Sequence, residues 1–247
     1  MLQDSDGPPQ EERAARRLRP LAGTAGSLGQ RVYLTLREAI LTLAYRPGEI
    51  LRKPEICAEL GVSRSPVSDA VARLAAEGLV DVVPQAGTYV ARFSMEDIRE
   101  GAFLREAIEL AAAERVAETL TGAQAQVLRR NLTVQAALVR AGDPQGFYEA
   151  DAEMHQLILS FTGFRHLAQV SQTAWAHVDR ARRLVLPVPG RVEQTLAEHR
   201  AILAALESRD PAAARAAVKH HLSQLIRHLE PLERERPDLF NPGKDAG

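Results

Sequence analysis

Residues 62–68 have the sequence VSRSPVS and lie between two short helical patterns. The first pattern covers residues 55–60 and is followed by Gly61, a residue suited to a tight turn, and the second covers residues 66–77. Two helices joined by a short turn that contains glycine form a helix-turn-helix motif. The second helix begins with small polar residues and Arg64, and helix ends of this kind enter the grooves of DNA. The sequence therefore predicts that this segment binds DNA.

The flanking segments extend the motif into a larger domain. Apolar residues recur at helical spacing over residues 30–44, and the sequence RPG at 46–48 ends that helix. After the second helix of the motif, residues 79–83 and 88–91 have the composition of two short strands joined by a turn. Three helices followed by a β-hairpin predict a winged helix-turn-helix domain over residues 28–93.

The remainder of the chain has a different pattern. From Ser94 to about residue 232 only helical periodicity is found, which predicts an all-α bundle of about six helices over residues 94–232. Residues 1–27 and 233–247 are polar and poor in large apolar side chains, so we expect a disordered N-terminal extension and a flexible tail. The predicted fold class is mainly α, with an N-terminal winged helix-turn-helix and a C-terminal helical bundle.

Composition limits the class of protein. The chain has 247 residues and a net charge of −1, so any contact with DNA must come from local placement of Arg and Lys. Its single cysteine, Cys57, excludes an internal disulfide and is expected to be a small core residue. The chain lacks an apolar run of about 18 residues and an N-terminal apolar signal core. We therefore expect a cytoplasmic protein without a membrane partner.

The candidates for contact with DNA lie at three places in the predicted domain. Lys53 begins the first helix of the motif, where backbone amides favour phosphate. Arg64 and Ser65 lie at the tip of the second helix, and Ser68 lies one turn further along it. Gly87 lies at the hairpin tip, where the backbone can approach a phosphate. Taken alone, Arg64 is better explained as a solvated surface residue, and it is the combination with the wing that favours DNA contact.

Residues 29–93 resemble the DNA-binding domain of the GntR family of bacterial regulators. The resemblance rests on RPG at 46–48, LGVSRSPV at 60–67, RL at 73–74, EGLV at 77–80 and GTYV at 87–90. It implies a repressor that binds an imperfect palindrome in double-stranded DNA as a homodimer, with Arg64 reading a base, most often guanine. The chain departs from the family at Ser68, where arginine is usual, at Asp69, where glutamate is usual, and at Ala86, where a basic residue is usual. We therefore expect weaker or altered base preference, with DNA binding retained.

The helical region carries a second pattern. Asp151 and His155 lie one turn apart on the apolar face of one helix, and His199 and His221 lie on the apolar faces of two later helices. A buried carboxylate is normally paired or bound to a metal, and one Asp with three His suits Zn, Ni, Mn or Fe. Each histidine alone is better explained as a hydrogen-bonded core residue, so spacing leaves both interpretations open.

Residues 97–226 resemble the FCD domain, the effector-binding domain of the FadR branch of GntR regulators. The resemblance rests on LR at 104–105, IE at 108–109, Asp151 and His155 as D-x-x-x-H, EHRAIL at 198–203 and HL at 221–222. It implies that Asp151 and the three histidines bind a divalent metal. It also implies that Arg105 points into the same cavity toward the carboxylate of a small organic acid effector. The alternative for Arg105 is a surface ion pair with Glu109, one turn later.

These features together predict a transcription regulator controlled by a ligand, and not an enzyme. The alternative is a metal-dependent enzyme acting on a small carboxylate, since three His and a carboxylate can activate water. Against this alternative, the sequence contains no separate general-base or nucleophile motif. A purely structural metal is a third interpretation.

Overall fold

The computed structural model describes residues 18–21, 26–167 and 175–241. The chain forms two compact units that divide between Arg92 and Phe93. None of the described helices combines the length and the apolar character that crossing a membrane requires.

The first unit is a winged helix-turn-helix. Its elements are α1 (Leu28–Leu41), α2 (Lys53–Leu60), α3 (Arg64–Ala76), β1 (Val80–Val83) and β2 (Gly87–Val90). The two strands pair antiparallel, with Val80 opposite Val90. Helix α3 begins two residues before its predicted start, because the extended Ser63 forms its N-cap and allows Arg64 to be helical. The predicted order of three helices and a hairpin is confirmed.

The core of the first unit lies between α1, α2 and α3. Val32, Leu36 and Ile40 recur every fourth residue on α1 and have no exposed surface. They pack in one apolar cluster with Ile56 of α2 and Leu74 of α3. This packing holds α2 and α3 in a fixed relation, which is what a helix-turn-helix needs to present one end of its second helix.

The turn between α2 and α3 depends on the backbone freedom of Gly61. Gly61 has a φ of +65°, and its N–H donates to the carbonyl of Cys57 at the end of α2. An added Cβ at Gly61 would meet no atom within 4 Å, so the constraint is the left-handed backbone conformation itself.

We expect Gly61→Ala to lower the free energy of unfolding of the first unit by about 1 kcal/mol, because only glycine adopts this φ without steric cost. Gly29, in the first turn of α1, is the matched control, since its φ is not positive and an added Cβ would also meet open space. Gly29→Ala should stabilise by about 0.4–1 kcal/mol. Chemical denaturation of both variants measures the difference, and equal shifts would contradict the account of the turn.

The second unit contains six α-helices within the described residues. They are α4 (Met95–Thr119), α5 (Gly122–Ala141), α6 (Pro144–Phe161), α7 (Ala176–Val185), α8 (Arg191–Glu207) and α9 (Pro211–Glu235), followed by a 3-10 turn at Pro237–Leu239. Four of the helices begin at a side chain that accepts a hydrogen bond from the first turn of the backbone. These N-cap residues are Ser94, Thr121, Asp143 and Asp210. The predicted all-α bundle of about six helices is confirmed.

The structure differs from the predicted ends of the chain. Helix α9 continues to Glu235, and Phe240 is 3% exposed with its ring 5.6 Å from that of Phe93, in a segment predicted as a flexible tail. The N–H of Phe93 also donates to the carbonyl of Leu239, and the N–H of Asn241 donates to the carbonyl of Phe93. Leu18, in the predicted disordered extension, is buried in the core of the first unit. The rest of that prediction, over residues 1–17 and 22–25, lies outside the described residues.

A second difference concerns the helix predicted over residues 165–184. The described part of this region forms α7 from Ala176 to Val185, and residues 168–174 lie outside the described ranges. The ends of helix α8 are the predicted ones, residues 191 and 207.

Candidate metal centre and nucleic-acid interface

The four predicted metal ligands lie together in the second unit. Asp151 and His155 come from α6, His199 from α8 and His221 from α9, and one ligand atom from each lies within 4.8 Å of all the others. Their exposed fractions are 1%, 3%, 0% and 7%, respectively. The structure therefore brings together, in the interior of the bundle, four side chains that are far apart in the sequence.

The atoms that face the centre of this cluster are all potential ligands. Nε2 of His155 lies 3.2 Å from Nε2 of His221, and Nε2 of His199 lies 3.2 Å from Oδ1 of Asp151. In the described part of the chain, neither oxygen of Asp151 nor Nε2 of His199 has a hydrogen-bond partner. Arg182 forms an ion pair with Oδ2 of Asp151. A divalent cation among the facing atoms would meet a carboxylate and imidazole lone pairs, ligand types that suit such metals.

The other ring nitrogen of each histidine has a partner. Each Nδ1 lies at hydrogen-bond distance from an oxygen that accepts, which favours protonation at Nδ1 and leaves the lone pair of Nε2 toward the centre. The pairs are His155 with Glu109 at 2.6 Å, His221 with Glu198 at 2.7 Å and His199 with Gln135 at 2.8 Å. Outer partners of this kind orient histidine ligands in metal sites. The donor set and its surroundings therefore fit a divalent metal.

Two arginines form ion pairs with the two carboxylates that accept hydrogen bonds from histidines of the cluster. Nε of Arg105 donates to Glu109 at 2.5 Å, and Arg191 donates two hydrogen bonds to Glu198 at 2.7 and 2.8 Å. Burial alone would raise the pKa of Glu109, but Arg105 and His155 outweigh it and hold that pKa well below its usual range. Glu109 therefore remains ionised in the interior and accepts from His155.

Burial lowers the pKa of His199 and of His221 well below the usual value. In His199 the neighbouring His155 and Arg182 add to this effect, and in His221 the two other histidines of the cluster do. Both imidazoles are therefore neutral near neutral pH, which is the form that binds metals.

A small cavity of about 30 Å³ lies beside the cluster. It is lined by both polar or charged and apolar side chains. The lining residues are Arg105, Asp151, Arg182, Val185, Leu186, Arg191, Thr195, His221, Leu222 and Leu225. Burial, and then repulsion from Arg105, lowers the pKa of Arg182 to about 9. Arg105 is paired with Glu109 and Arg182 with Asp151, so charged groups of both signs surround the cavity.

The structure supports part of each interpretation that the sequence left open for Arg105. Its ion pair with Glu109 is present, but it is buried instead of lying on the surface, with Arg105 only 4% exposed. Nη2 of Arg105 is buried and has no hydrogen-bond partner among the described residues. A buried guanidinium nitrogen beside a cavity is a suitable donor to a carboxylate.

The predicted DNA-contacting residues lie at the exposed end of the helix-turn-helix and in the wing. Arg64 and Ser65 are the first two residues of α3 and are exposed, and Ser68 follows one turn later, partly buried. Lys53 is the first residue of α2. Gly87 begins β2 with a φ of +144°, a conformation that favours glycine. These positions are consistent with contact to DNA, and the contact itself remains a prediction.

Arg73, by contrast, is engaged within its own unit. It donates to Gln30 at 2.8 Å and stacks over Tyr33 at 3.6 Å from the ring centroid.

Both units match known families. Residues 28–90 match the family described as "Bacterial regulatory proteins, gntR family", and residues 100–224 match the FCD domain. The chain belongs to the GntR family of transcription regulators. It is a DNA-binding regulator of the FCD-containing type and not an enzyme, so the alternative of a metal-dependent enzyme is wrong.

Relatives of this GntR regulator cover most of its length. The HTH-type transcriptional repressor RspR of Escherichia coli K12 is 32% identical over 214 residues, which is 87% of this chain and 94% of RspR. A transcriptional regulator in an unstable DNA locus of Streptomyces ambofaciens is 35% identical over 221 residues, or 89% of this chain and 93% of the relative. A solved GntR structure from Rhodococcus sp. RHA1 has a TM-score of 0.72 at 24% identity and covers 83% of this chain and 99% of its own. That likeness supports the fold alone.

The residues that surround the candidate metal ligands of this GntR regulator are not all evident from the sequence. Glu198 enters only as part of the resemblance, Glu109 also as a possible surface partner of Arg105, and Gln135 not at all. Gln135 did carry a signal, because it lies on the same face of α5 as the core residues Leu128 and Leu132. A polar residue in such a position requires a buried partner.

Proposed function

We propose that this regulator is a homodimeric repressor whose affinity for an imperfect palindromic operator is controlled by a small organic acid bound beside a divalent metal. The observation that carries the proposal is the cluster of Asp151 and three histidines, buried and with every Nδ1 turned outward to an acceptor. A set of purely structural histidines has no need to leave three Nε2 atoms facing one carboxylate.

The proposed ligands are Asp151, His155, His199 and His221. Nitrogen and carboxylate donors of this number suit Zn, Ni, Mn or Fe. When bound, the metal would supply a fixed positive charge that attracts an anionic effector group. The protein's own contribution is to keep the imidazoles neutral, to orient them through Glu109, Gln135 and Glu198, and to exclude bulk water from the cluster.

The balance of buried charge supports an anionic effector. The charged side chains that line the cavity or contact a histidine of the cluster are Arg105, Arg182, Arg191, Glu109, Asp151 and Glu198. The charges of the three positive and three negative groups sum to zero while the imidazoles are neutral. A divalent metal adds two positive charges in a region of low dielectric, where an unbalanced charge is costly. A carboxylate beside the metal would offset one of these two charges, with Nη2 of Arg105 as its donor.

The proposed DNA-reading element is the N-terminal end of α3. Arg64 would read a base edge, Lys53 and the backbone at Gly87 would contact phosphates, and Ser65 and Ser68 would supply shorter polar contacts. Because Ser68 lacks the guanidinium usual at its position, we propose an operator preference different from that of relatives. An effector that binds two arrangements of the dimer with different affinity changes operator affinity, since half-site spacing selects one arrangement.

The experiment that tests this function begins with the operator. Purified protein is incubated with fragmented genomic DNA, and the retained fragments are sequenced to give the operator and the genes that it controls. Operator affinity is then titrated with metal-loaded protein, with and without the carboxylic acids on which the controlled genes' enzymes act. A retained set of fragments without a common sequence would contradict the proposal.

Removal of metal separates a regulatory metal from a purely structural one. We expect chelator-treated protein to keep its helical circular dichroism at 25 °C and to unfold at a lower temperature than metal-loaded protein, because the metal binds only the folded state. Unfolding of the helical unit on chelation at 25 °C would instead favour a structural metal.

A further inference from the structure

Gln135 differs from the other two outer partners of the cluster because it is not a carboxylate. It lies on α5 with no exposed surface, and its Oε1 is 2.8 Å from Nδ1 of His199. Glu109 and Glu198, by contrast, back the other two histidines as charged acceptors. An amide can donate or accept, so its effect on His199 depends on which end of the amide faces the ring.

The orientation of Gln135 is fixed by groups that can only accept. Nδ2 of Asn131 donates to the backbone carbonyl of Ala150 at 2.9 Å and to a carboxylate oxygen of Glu153 at 2.8 Å. Asn131 must therefore turn its Oδ1 toward Gln135, whose Nε2 donates to it at 2.7 Å. Nε2 of Gln135 also lies 3.5 Å from the same Ala150 carbonyl. A flipped Gln135 would place its oxygen against two other oxygens, so Oε1 must face His199.

The proton of His199 has two alternative positions with opposite consequences. On Nδ1 it is donated to Oε1 of Gln135, and Nε2 keeps its lone pair. On Nε2 it would face Oδ1 of Asp151, which lies 3.2 Å away and accepts. That second tautomer would occupy a ring nitrogen and a carboxylate oxygen that the metal requires. Gln135 and Asp151 therefore favour opposite tautomers of the same ring.

We propose that Gln135, held in orientation by Asn131 and Glu153, is a positioning residue that selects the Nδ1–H tautomer of His199 and so keeps Nε2 available to a metal. The expected effect on metal affinity rests on the proposed metal site. The tautomer of His199 is a property of the metal-free protein and is measured without metal. As a neutral acceptor, Gln135 does this without adding a fourth negative charge to the balanced set.

The test compares Gln135→Leu with Gln135→Glu. Leucine removes the acceptor at similar volume, while glutamate, ionised or protonated, keeps an oxygen that accepts from Nδ1. Leu128→Ala, a core change on the same helix, controls for loss of stability alone. The tautomer is measured in metal-free protein labelled with ¹⁵N-histidine, where ring nitrogen shifts distinguish Nδ1–H from Nε2–H and a His199→Asn variant assigns the signal. Zn affinity is measured by competition with a chelator.

We expect wild type and Gln135→Glu to hold His199 as Nδ1–H, and Gln135→Leu to shift it toward Nε2–H with Zn affinity weakened roughly 10–100-fold. Leu128→Ala should unfold more easily with an unchanged tautomer. An unchanged tautomer in Gln135→Leu overturns the proposal. If Gln135→Leu does not fold, a Gln135→Glu protein with the Nε2–H tautomer overturns it equally. A wild-type protein that is Nδ1–H but binds no Zn would contradict the metal site and leave the selection of the tautomer supported.

Discussion

His221→Ala is expected to remove stoichiometric metal from the purified protein. His221 offers one of four potential ligand atoms that lie within 4.8 Å of one another, and its Nδ1 lies 2.7 Å from Glu198, which leaves Nε2 for the metal. Loss of an outer partner alone costs roughly 10–100-fold in metal affinity, and loss of a ligand should cost more. Metal content after gel filtration and chelator competition measure this effect.

The adjacent His220 is a matched control. It lies on the same helix but is exposed, since consecutive residues of an α-helix point about 100° apart. His220→Ala should retain the metal content and affinity of the wild type. Equal loss in both variants would point to damage to α9, and full retention in His221→Ala would contradict the assignment of the ligand.

Arg64→Ala is expected to weaken specific operator binding by roughly 1–3 kcal/mol, or about 5–150-fold. Arg64 is exposed in the first turn of α3, and a guanidinium at that position can donate two hydrogen bonds to guanine. Alanine keeps the helix and removes the donors, so binding to unrelated DNA should change much less. Fluorescence anisotropy with operator and scrambled DNA at one salt concentration measures both affinities.

Arg130→Ala is the control for a general loss of positive charge. Arg130 is exposed on α5 of the other unit and should leave both affinities unchanged. If Arg64→Ala weakened operator and scrambled DNA equally, Arg64 would be a phosphate contact and not a base reader.

The fold was predictable from the sequence because its signals are local. Gly61 ends α2, Ser63 precedes α3, and Asp143 and Asp210 each precede a proline at the start of a helix. Such signals act within one helical turn and need no knowledge of the rest of the chain. Local signals do not predict the packing of Phe240 against Phe93, because these two residues are far apart in the sequence.

The candidate site was predictable only in part. Asp151 and His155 are one turn apart on an apolar face, and His199 and His221 lie on the apolar faces of two later helices. Resemblance to the FCD domain was needed to favour a metal site over four separate core residues. Their outer partners come from α4, α5 and α8, and no spacing rule relates those helices. Arg105 and Glu109 have the spacing of an ordinary surface pair, and only the packing of α4 shows that they are buried.

Control of DNA binding through the metal centre is tested most directly by titrating operator affinity with effector, in metal-loaded wild type and in His221→Ala. At least one carboxylic acid linked to the controlled genes should change the operator Kd of the wild type by about 5–150-fold, the usual range of coupling between two sites. The same acid should leave the Kd of His221→Ala unchanged. An equal response in both proteins would show that the effector acts without the metal centre, and the proposed function would then be wrong.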